Sequence, residues 1–233
     1  MTNIKKNIEI ELKEIRQETS DVYSFIFNRP ENFKWKPGQH GVFKFTDREV
    51  NEGKDFRIYS FASINEEDMI LFSTRIVDEP SEFKKNLLKL KPGDVMTVDG
   101  PMGKFTIKDY SKPSLVMAGG IGITPIRALV KDVHKNNVKV NDIKVLYSDD
   151  RGEFAFTDTL KEAGENSEGL EVVFISDRNE FTDKIDAYAK KHKNNSLYYI
   201  SGTPGMTSFF KEKLRGFGVD KENIVTDTFM GYE

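Results

Sequence analysis

The sequence predicts two domains: an N-terminal antiparallel β-barrel and a C-terminal α/β domain with a parallel sheet. Three observations predict this. The first part of the chain alternates apolar and polar residues with a period of two. The second part alternates short apolar runs with helical patterns. A glycine-rich loop joins one of those runs to an amphipathic helix. The boundary is expected near Tyr110-Ser111-Lys112-Pro113, giving domains 1–110 and 111–233.

In the first domain Ile8, Ile10 and Leu12 alternate with polar residues, as do Tyr23, Phe25 and Phe27. Val42 to Phe45, Arg57 to Phe61 and Met69 to Val77 read as further strands. Turn chemistry at Pro37-Gly38 and Pro92-Gly93-Asp94 punctuates them. Several short strands separated by turns suit an antiparallel barrel. One helix interrupts them, from Ser81 to Leu90, with Phe83, Leu87 and Leu90 on one face and Ser81 suited to the N-cap.

In the second domain Ser114 to Ala118 is a short apolar run, followed by a glycine loop. The helix after it carries Ile126, Leu129, Val130 and Val133 at i, i+3, i+4 and i+7. Ile143 to Tyr147, Leu170 to Ile175 and Leu197 to Ile200 are further strands. Lys184 to His192 and Met206 to Leu214 are among the helical stretches between and after them.

Composition excludes several function classes. The 233 residues hold 35 Lys and Arg against 38 Asp and Glu, a net charge of −3 that argues against a broad nucleic-acid surface. With no cysteine, the chain has no disulfide, thiol nucleophile, zinc–thiolate site or cysteine-held iron–sulfur cluster. The three histidines, His40, His134 and His192, lack metal-ligand spacing, so no metal site is expected. No apolar run approaches the roughly 20 residues of a membrane span, and no secretory signal is visible. A soluble cytoplasmic protein is the expectation.

The loop Ala118-Gly119-Gly120-Ile121-Gly122-Ile123-Thr124-Pro125 lies between a strand and a helix. Glycines there let backbone approach a ligand, Thr124 suits the N-cap and Pro125 the first helical position. Free N–H groups at such a helix start favour a negative group, such as a pyrophosphate at the carboxyl edge of a parallel sheet. The pattern departs from GxGxxG, because Pro125 stands in place of the last glycine. A tight turn with no ligand is the alternative, and the βαβ context favours nucleotide binding. A second loop, Ser201-Gly202-Thr203-Pro204-Gly205-Met206, repeats the strand-to-helix arrangement, although by itself it reads as an ordinary connection. In Arg57-Ile58-Tyr59-Ser60, strand geometry puts Arg57 and Tyr59 on one face and Ser60 on the other. A ring beside a guanidinium suits a flat, phosphorylated ligand; a packing tyrosine beside a solvated arginine is the plainer reading.

RIYSFAS, SEFKKNLLKLKPGD, GPMGKF, AGGIGITP, SGTPGM and a terminal FMGY occur in this order over nearly the whole chain. Together they resemble the ferredoxin–NADP+ reductase superfamily, specifically its small stand-alone flavoproteins. The resemblance implies that Arg57 binds a flavin phosphate, Tyr59 packs on the isoalloxazine ring and Ser60 bonds near flavin N5. It implies that Ala62, Ser63, Thr74 and Arg75 hold the ring edge and ribityl chain. Ser81, Phe83 and Lys84 are expected at the pyrophosphate, which favours FAD over FMN. Gly119, Gly120, Gly122, Thr124 and Pro125 resemble the family's nicotinamide-dinucleotide loop. Ser201, Gly202, Thr203 and Pro204 resemble its CGP motif, with Ser201 in place of the cysteine beside the nicotinamide. Phe229 and Tyr232 are the two candidates for an aromatic over the second flavin face.

The implied activity is FAD-dependent NAD(P)H oxidoreduction, with Tyr59, Ser60 and Ser201 around the reacting rings. NADH or NADPH would bind with nicotinamide C4 close to flavin N5, the two rings clasped face to face by the two halves. A separate ferredoxin-like or flavodoxin-like carrier is the expected partner. A reductase of a small acceptor (free flavin, ferric chelate or quinone) and a flavin subunit of a larger complex are the alternatives, with a flavin-free nucleotide-binding regulator behind them. The choice between NADH and NADPH rests on Ser148-Asp149-Asp150-Arg151 and Ser176-Asp177-Arg178, where Arg178 with Ser176 suits a 2′-phosphate and Asp149 or Asp177 a free 2′-hydroxyl.

Overall fold

A computed structural model describes residues 4–51 and 53–230. The chain forms two compact units, residues 1–104 and 105–233.

The first unit is an antiparallel, nearly closed six-stranded barrel in the order β4-β3-β6-β1-β2-β5. Its strands are β1 (Lys5–Gln17), β2 (Val22–Asn28), β3 (His40–Phe45), β4 (Phe56–Ser60), β5 (Met69–Arg75) and β6 (Val95–Met102). The long β1 changes partner midway. Lys5 to Glu11 pair with β6, and Leu12 to Gln17 pair with β2. Past the end of β4, the Ala62 N–H donates to the Leu71 carbonyl at 2.7 Å and brings the two ends of the sheet together. The alternation read from the sequence is the inward set: Ile10, Leu12, Phe25, Phe27, Phe43, Phe61 and Phe72 form one buried cluster. Phe72 is its centre, parallel to Tyr59 at 4.3 Å and within 4.6 Å of Phe43. Such ring pairs add about 0.5–1.5 kcal/mol each beyond the area they bury. Helix α1 (Glu82–Leu88) places Phe83 and Leu87 in the same core. Ser81 holds the N-cap position, but its hydroxyl makes no cap bond. Strand β6 lies beyond the strands the sequence predicts, and its Met96 and Val98 face the core.

The second unit is a five-stranded parallel sheet in the order β11-β10-β7-β8-β9. Its strands are β7 (Ser114–Gly119), β8 (Ile143–Ser148), β9 (Leu170–Ile175), β10 (Leu197–Gly202) and β11 (Ile224–Thr228). The helices are α2 (Ile123–Lys135), α3 (Thr157–Asn166), α4 (Arg178–His192) and α5 (Pro204–Gly216). Leu115 and Met117 face α4 and α5 in one core, whereas Val116 and Val145 meet Ile126, Val130 and Val133 of α2. Sheet growth runs from β7 through β8 to β9, then returns to β10 on the other side of β7. The reversal lies between β7 and β10, and crevices at such points are where open α/β sheets bind ligands.

Residues 105 to 110, placed before the boundary on sequence grounds, pack with the second unit. Phe105 is buried edge-on against Tyr199 at 5.9 Å. The Lys108 N–H donates to the Tyr199 hydroxyl at 2.9 Å, and the Tyr110 hydroxyl donates to Asp132 at 3.1 Å. No helix among the described residues is long and apolar enough to cross a membrane.

Candidate functional site

In the first unit the chemistry gathers where β4, β5 and α1 meet. Arg57 donates Nη1 to the Lys54 and Phe56 carbonyls at 2.6 and 2.8 Å, and its guanidinium lies 4.9 Å from the Phe83 ring centre. It meets no carboxylate among the described residues. Arg75 pairs with Asp21 at 3.1 Å. The half-buried Lys84 ammonium is pushed below its ordinary pKa, first by burial and then by the charges of Arg57 and Arg75. Three cations therefore share one region of the unit, and Arg57 is held in place by its own backbone. That donor set suits a polyphosphate, which accepts several charge-assisted bonds.

The neighbouring residues divide by role. Arg57 and Tyr59 do share a face, since Phe83 touches both. Tyr59 is only 7% exposed, and its stacking on Phe72 commits one ring face to the barrel core. Phe83 is fully buried beneath Arg57. Ser60, buried, sits opposite His40 across the β3–β4 ladder. The half-buried His40 imidazole is held below its ordinary pKa by burial, which favours the neutral ring. Thr74 is buried, and among the described residues its hydroxyl reaches only the Arg75 carbonyl, at 3.5 Å.

Ser63 has its hydroxyl engaged within the fold: it donates to the Met69 carbonyl at 2.8 Å and accepts from the Leu71 N–H at 3.0 Å. Ser63→Ala leaves that buried N–H without its acceptor, an expected cost of about 2 kcal/mol. A thermal melt should show the loss as a fall in Tm of about 4–8 °C.

In the second unit both glycine loops lie at the carboxyl ends of the adjacent strands β7 and β10, with Ala118 in register with Ser201. They approach backbone to backbone. A Cβ on Gly122 would lie 2.3 Å from the Ser201 carbonyl oxygen and 2.9 Å from Gly202 Cα. Gly120 has φ +52°, and residues 120–122 form a 3-10 turn leading into α2. The cap of α2 differs from the sequence expectation. Gly122 holds the N-cap position of α2, and Pro125 falls at the third helical residue. The buried Thr124 hydroxyl donates to the Ile121 carbonyl at 2.8 Å and caps no N–H. The 3-10 turn has already begun the helical path, leaving threonine a carbonyl as its nearest partner. The second loop behaves as that motif predicts: the Thr203 hydroxyl accepts from the Met206 N–H at 3.4 Å, and Pro204 opens α5.

Ser201 is fully buried, and its hydroxyl has no hydrogen-bond partner among the described residues. Leaving such a group unsatisfied costs about 1–3 kcal/mol, which points to a polar ligand. The Phe229 N–H donates to the Gly202 carbonyl at 2.9 Å, bringing Phe229 to the same edge. Tyr232 lies outside the described residues.

The loops after β8 and β9 meet through an ion pair. Arg178 donates Nε to an Asp150 carboxylate oxygen at 2.7 Å, and its Nη2 makes a second bond to the same oxygen. This holds the Asp150 carboxyl below the usual carboxylate range. Asp177 caps α4, accepting from the Glu180 N–H at 2.7 Å. Asp149 is buried and accepts from the Arg151 N–H at 3.1 Å. No cluster of metal-ligating side chains occurs among the described residues.

Solved structures share this architecture. A ferredoxin–NADP+ reductase from Neisseria gonorrhoeae with bound FAD and NADP superposes with a TM-score of 0.78, covering 96% of this chain and 99% of that one at 19% identity. This chain has the ferredoxin–NADP+ reductase fold. An Amycolatopsis cytochrome P450 reductase has the same fold at a TM-score of 0.81 and 15% identity, over 98% of this chain and 71% of its own. In sequence, the reductase-fold chain resembles subunits F of Na+-translocating NADH-quinone reductases. The Mannheimia succiniciproducens subunit is 28% identical over 94% of this chain and the Marinomonas subunit 29% over 88%. The chain spans 59% and 56% of the lengths of these two curated relatives. No protein-family model matches it.

Proposed function

We propose that this chain is an FAD-dependent NAD(P)H oxidoreductase that passes electrons between a nicotinamide dinucleotide and a separate one-electron carrier. The placing of Arg57 carries the reading: two backbone carbonyls hold its guanidinium over Phe83, with Lys84 and Arg75 adding positive charge nearby, a donor set suited to a pyrophosphate. Arg57 and Lys84 bind the phosphates of FAD beside the α1 start at Ser81 and Phe83. Tyr59, Ser60 and Arg75 frame the ring and its ribityl chain, with the buried Ala62, Ser63 and Thr74 setting the backbone behind them. In the second unit Gly119, Gly120, Gly122, Thr124 and Pro125 shape one dinucleotide loop, and Gly202, Thr203 and Pro204 the other. The Ser201 hydroxyl supplies a hydrogen bond to the nicotinamide. When bound, FAD supplies hydride exchange with the nicotinamide and single-electron exchange with a carrier. Ser60 and Ser201 orient the rings through hydrogen bonds and do not act as strong acids or bases. The chain works on the cytoplasmic side, where NAD(P)H is supplied.

A second reading is favoured by the curated relatives: as NADH-quinone reductase subunits, they support a flavin subunit feeding a larger assembly. Anaerobic stopped-flow mixing of the FAD-reconstituted chain with NADH and NADPH, side by side, tests the shared core. Bleaching of the yellow colour is the expected result, and a protein that takes up no FAD ends the proposal. Steady-state turnover with a ferredoxin or flavodoxin supports the first reading. Bleaching without turnover on any soluble carrier supports the second.

The ion pair between Asp150 and Arg178 favours NADH in this reading, because the Asp150 carboxylate repels a 2′-phosphate and occupies the guanidinium. Asp150→Asn is expected to raise kcat/KM for NADPH roughly fivefold with little change for NADH. Parallel titrations with the two dinucleotides check it.

A further inference from the structure

Met206 makes a contact that the proposed dinucleotide role does not use. It lies in the first turn of α5, half-buried, with its N–H held by Thr203. Its thioether sits against both glycine loops. A Cβ on Gly119 would lie 2.3 Å from Met206 Sδ, and one on Gly202 would lie 2.7 Å from it. One sulfur atom is therefore seated between the ends of β7 and β10, at the point where sheet growth reverses. The Gly119 carbonyl oxygen is close by, 3.7 Å from the Cβ position of Gly202.

We propose that Met206 is a peroxide-sensitive modification site whose oxidation opens the pair of glycine loops and weakens dinucleotide binding. This rests on the reading of those loops given above. The oxidant is hydrogen peroxide, the two-electron product of dioxygen at a reduced flavin. Its O–O bond breaks, one oxygen bonds to the Met206 sulfur lone pair, and the other leaves as water. Sulfur loses two electrons and peroxide gains them. The sulfoxide is longer, polar and a strong acceptor. Its oxygen has to be placed where sulfur already touches two glycines, and the nearby Gly119 carbonyl repels it. The loops separate to make room, and their backbone no longer presents one continuous edge. Sulfoxide reductases reverse the change, so the site is restorable.

Among the other methionines, Met96 and Met117 are fully buried and Met230 is 80% exposed, which supplies internal controls. The FAD-reconstituted chain is treated with graded hydrogen peroxide. Peptide mass spectrometry follows each methionine, calorimetry gives the Kd for NAD+ and NADP+, and absorbance gives FAD content. Met206 is expected to oxidise after Met230 and before Met96 and Met117. NAD+ binding should weaken about tenfold in step with Met206 sulfoxide while FAD content holds. M206L is expected to show the same Kd before and after peroxide. M206Q, which puts a polar group at that point, is expected to bind NAD+ about tenfold more weakly with FAD retained. The proposal is overturned if Met206 stays a thioether once Met230 has converted, if the oxidised protein binds NAD+ unchanged, or if M206L loses affinity equally. Untreated protein that binds neither dinucleotide removes the reading of the loops, and the proposal with it.

Discussion

Arg57→Ala should strip the flavin from the protein, weakening FAD binding about 100-fold while leaving the barrel folded. The guanidinium is held by two backbone carbonyls and lies over Phe83, so little rotamer freedom remains to be lost on binding. Charge-assisted bonds to phosphate are worth about 1.5–3 kcal/mol, and a 100-fold loss corresponds to about 2.7 kcal/mol. Arg57 is only half-buried, and the core beneath it is Phe83, Tyr59 and Phe72, so the fold survives its removal. Arg57→Lys should recover part of the affinity, because an ammonium keeps the charge but not the fork of donors. Flavin fluorescence titration measures the Kd, and a thermal melt shows whether folding was spared. Unchanged flavin affinity in Arg57→Ala would remove the role given to the cation cluster and revive the flavin-free alternative.

Gly122→Ala is expected to destabilise the second unit by about 3 kcal/mol and abolish dinucleotide binding. The added methyl would lie 2.3 Å from the Ser201 carbonyl oxygen and 2.6 Å from its carbonyl carbon. These are backbone atoms of a strand paired on both sides, so no flexible side chain can yield. Overpacking of this kind costs about 1–3 kcal/mol, and a rigid neighbour places it at the upper end. Gly205→Ala is the control. It lies in the first turn of α5 with nothing within 4 Å of its Cβ position, so it should be neutral or slightly stabilising. A melt and an NAD+ titration on the two variants separate close approach from a general intolerance of alanine in these loops.

Strands whose inward residues are large and alternate with polar neighbours were legible, as with Phe25 and Phe27 of β2. Strand β6 was not, because after Met96 and Val98 its next inward position is Gly100, which has no side chain to extend the pattern. The helix α4 starts at Arg178, earlier than the stretch beginning at Lys184, because Asp177 caps it. The two Thr-Pro pairs are the clearest lesson. Thr203-Pro204 caps and opens α5, while Thr124-Pro125 lies inside the first turn of α2. The dipeptide states a preference, and the preceding backbone decides whether a free N–H is there to be capped.

Local chemistry written along the chain determined the two-unit order, the antiparallel and parallel sheets and the position of both glycine loops. Each follows from periodicity and turn residues, which act over a few neighbours. Only the tertiary structure decided which groups share a place: Lys84 with Arg57 and Arg75, Asp150 with Arg178, Ser201 against Gly122, and Met206 against Gly119 and Gly202. Most of those pairs, such as Lys84 with Arg57, Asp150 with Arg178, Ser201 with Gly122 and Met206 with Gly119, are separated by many residues in sequence. Their meeting depends on strand order and on helix packing, which no local pattern encodes.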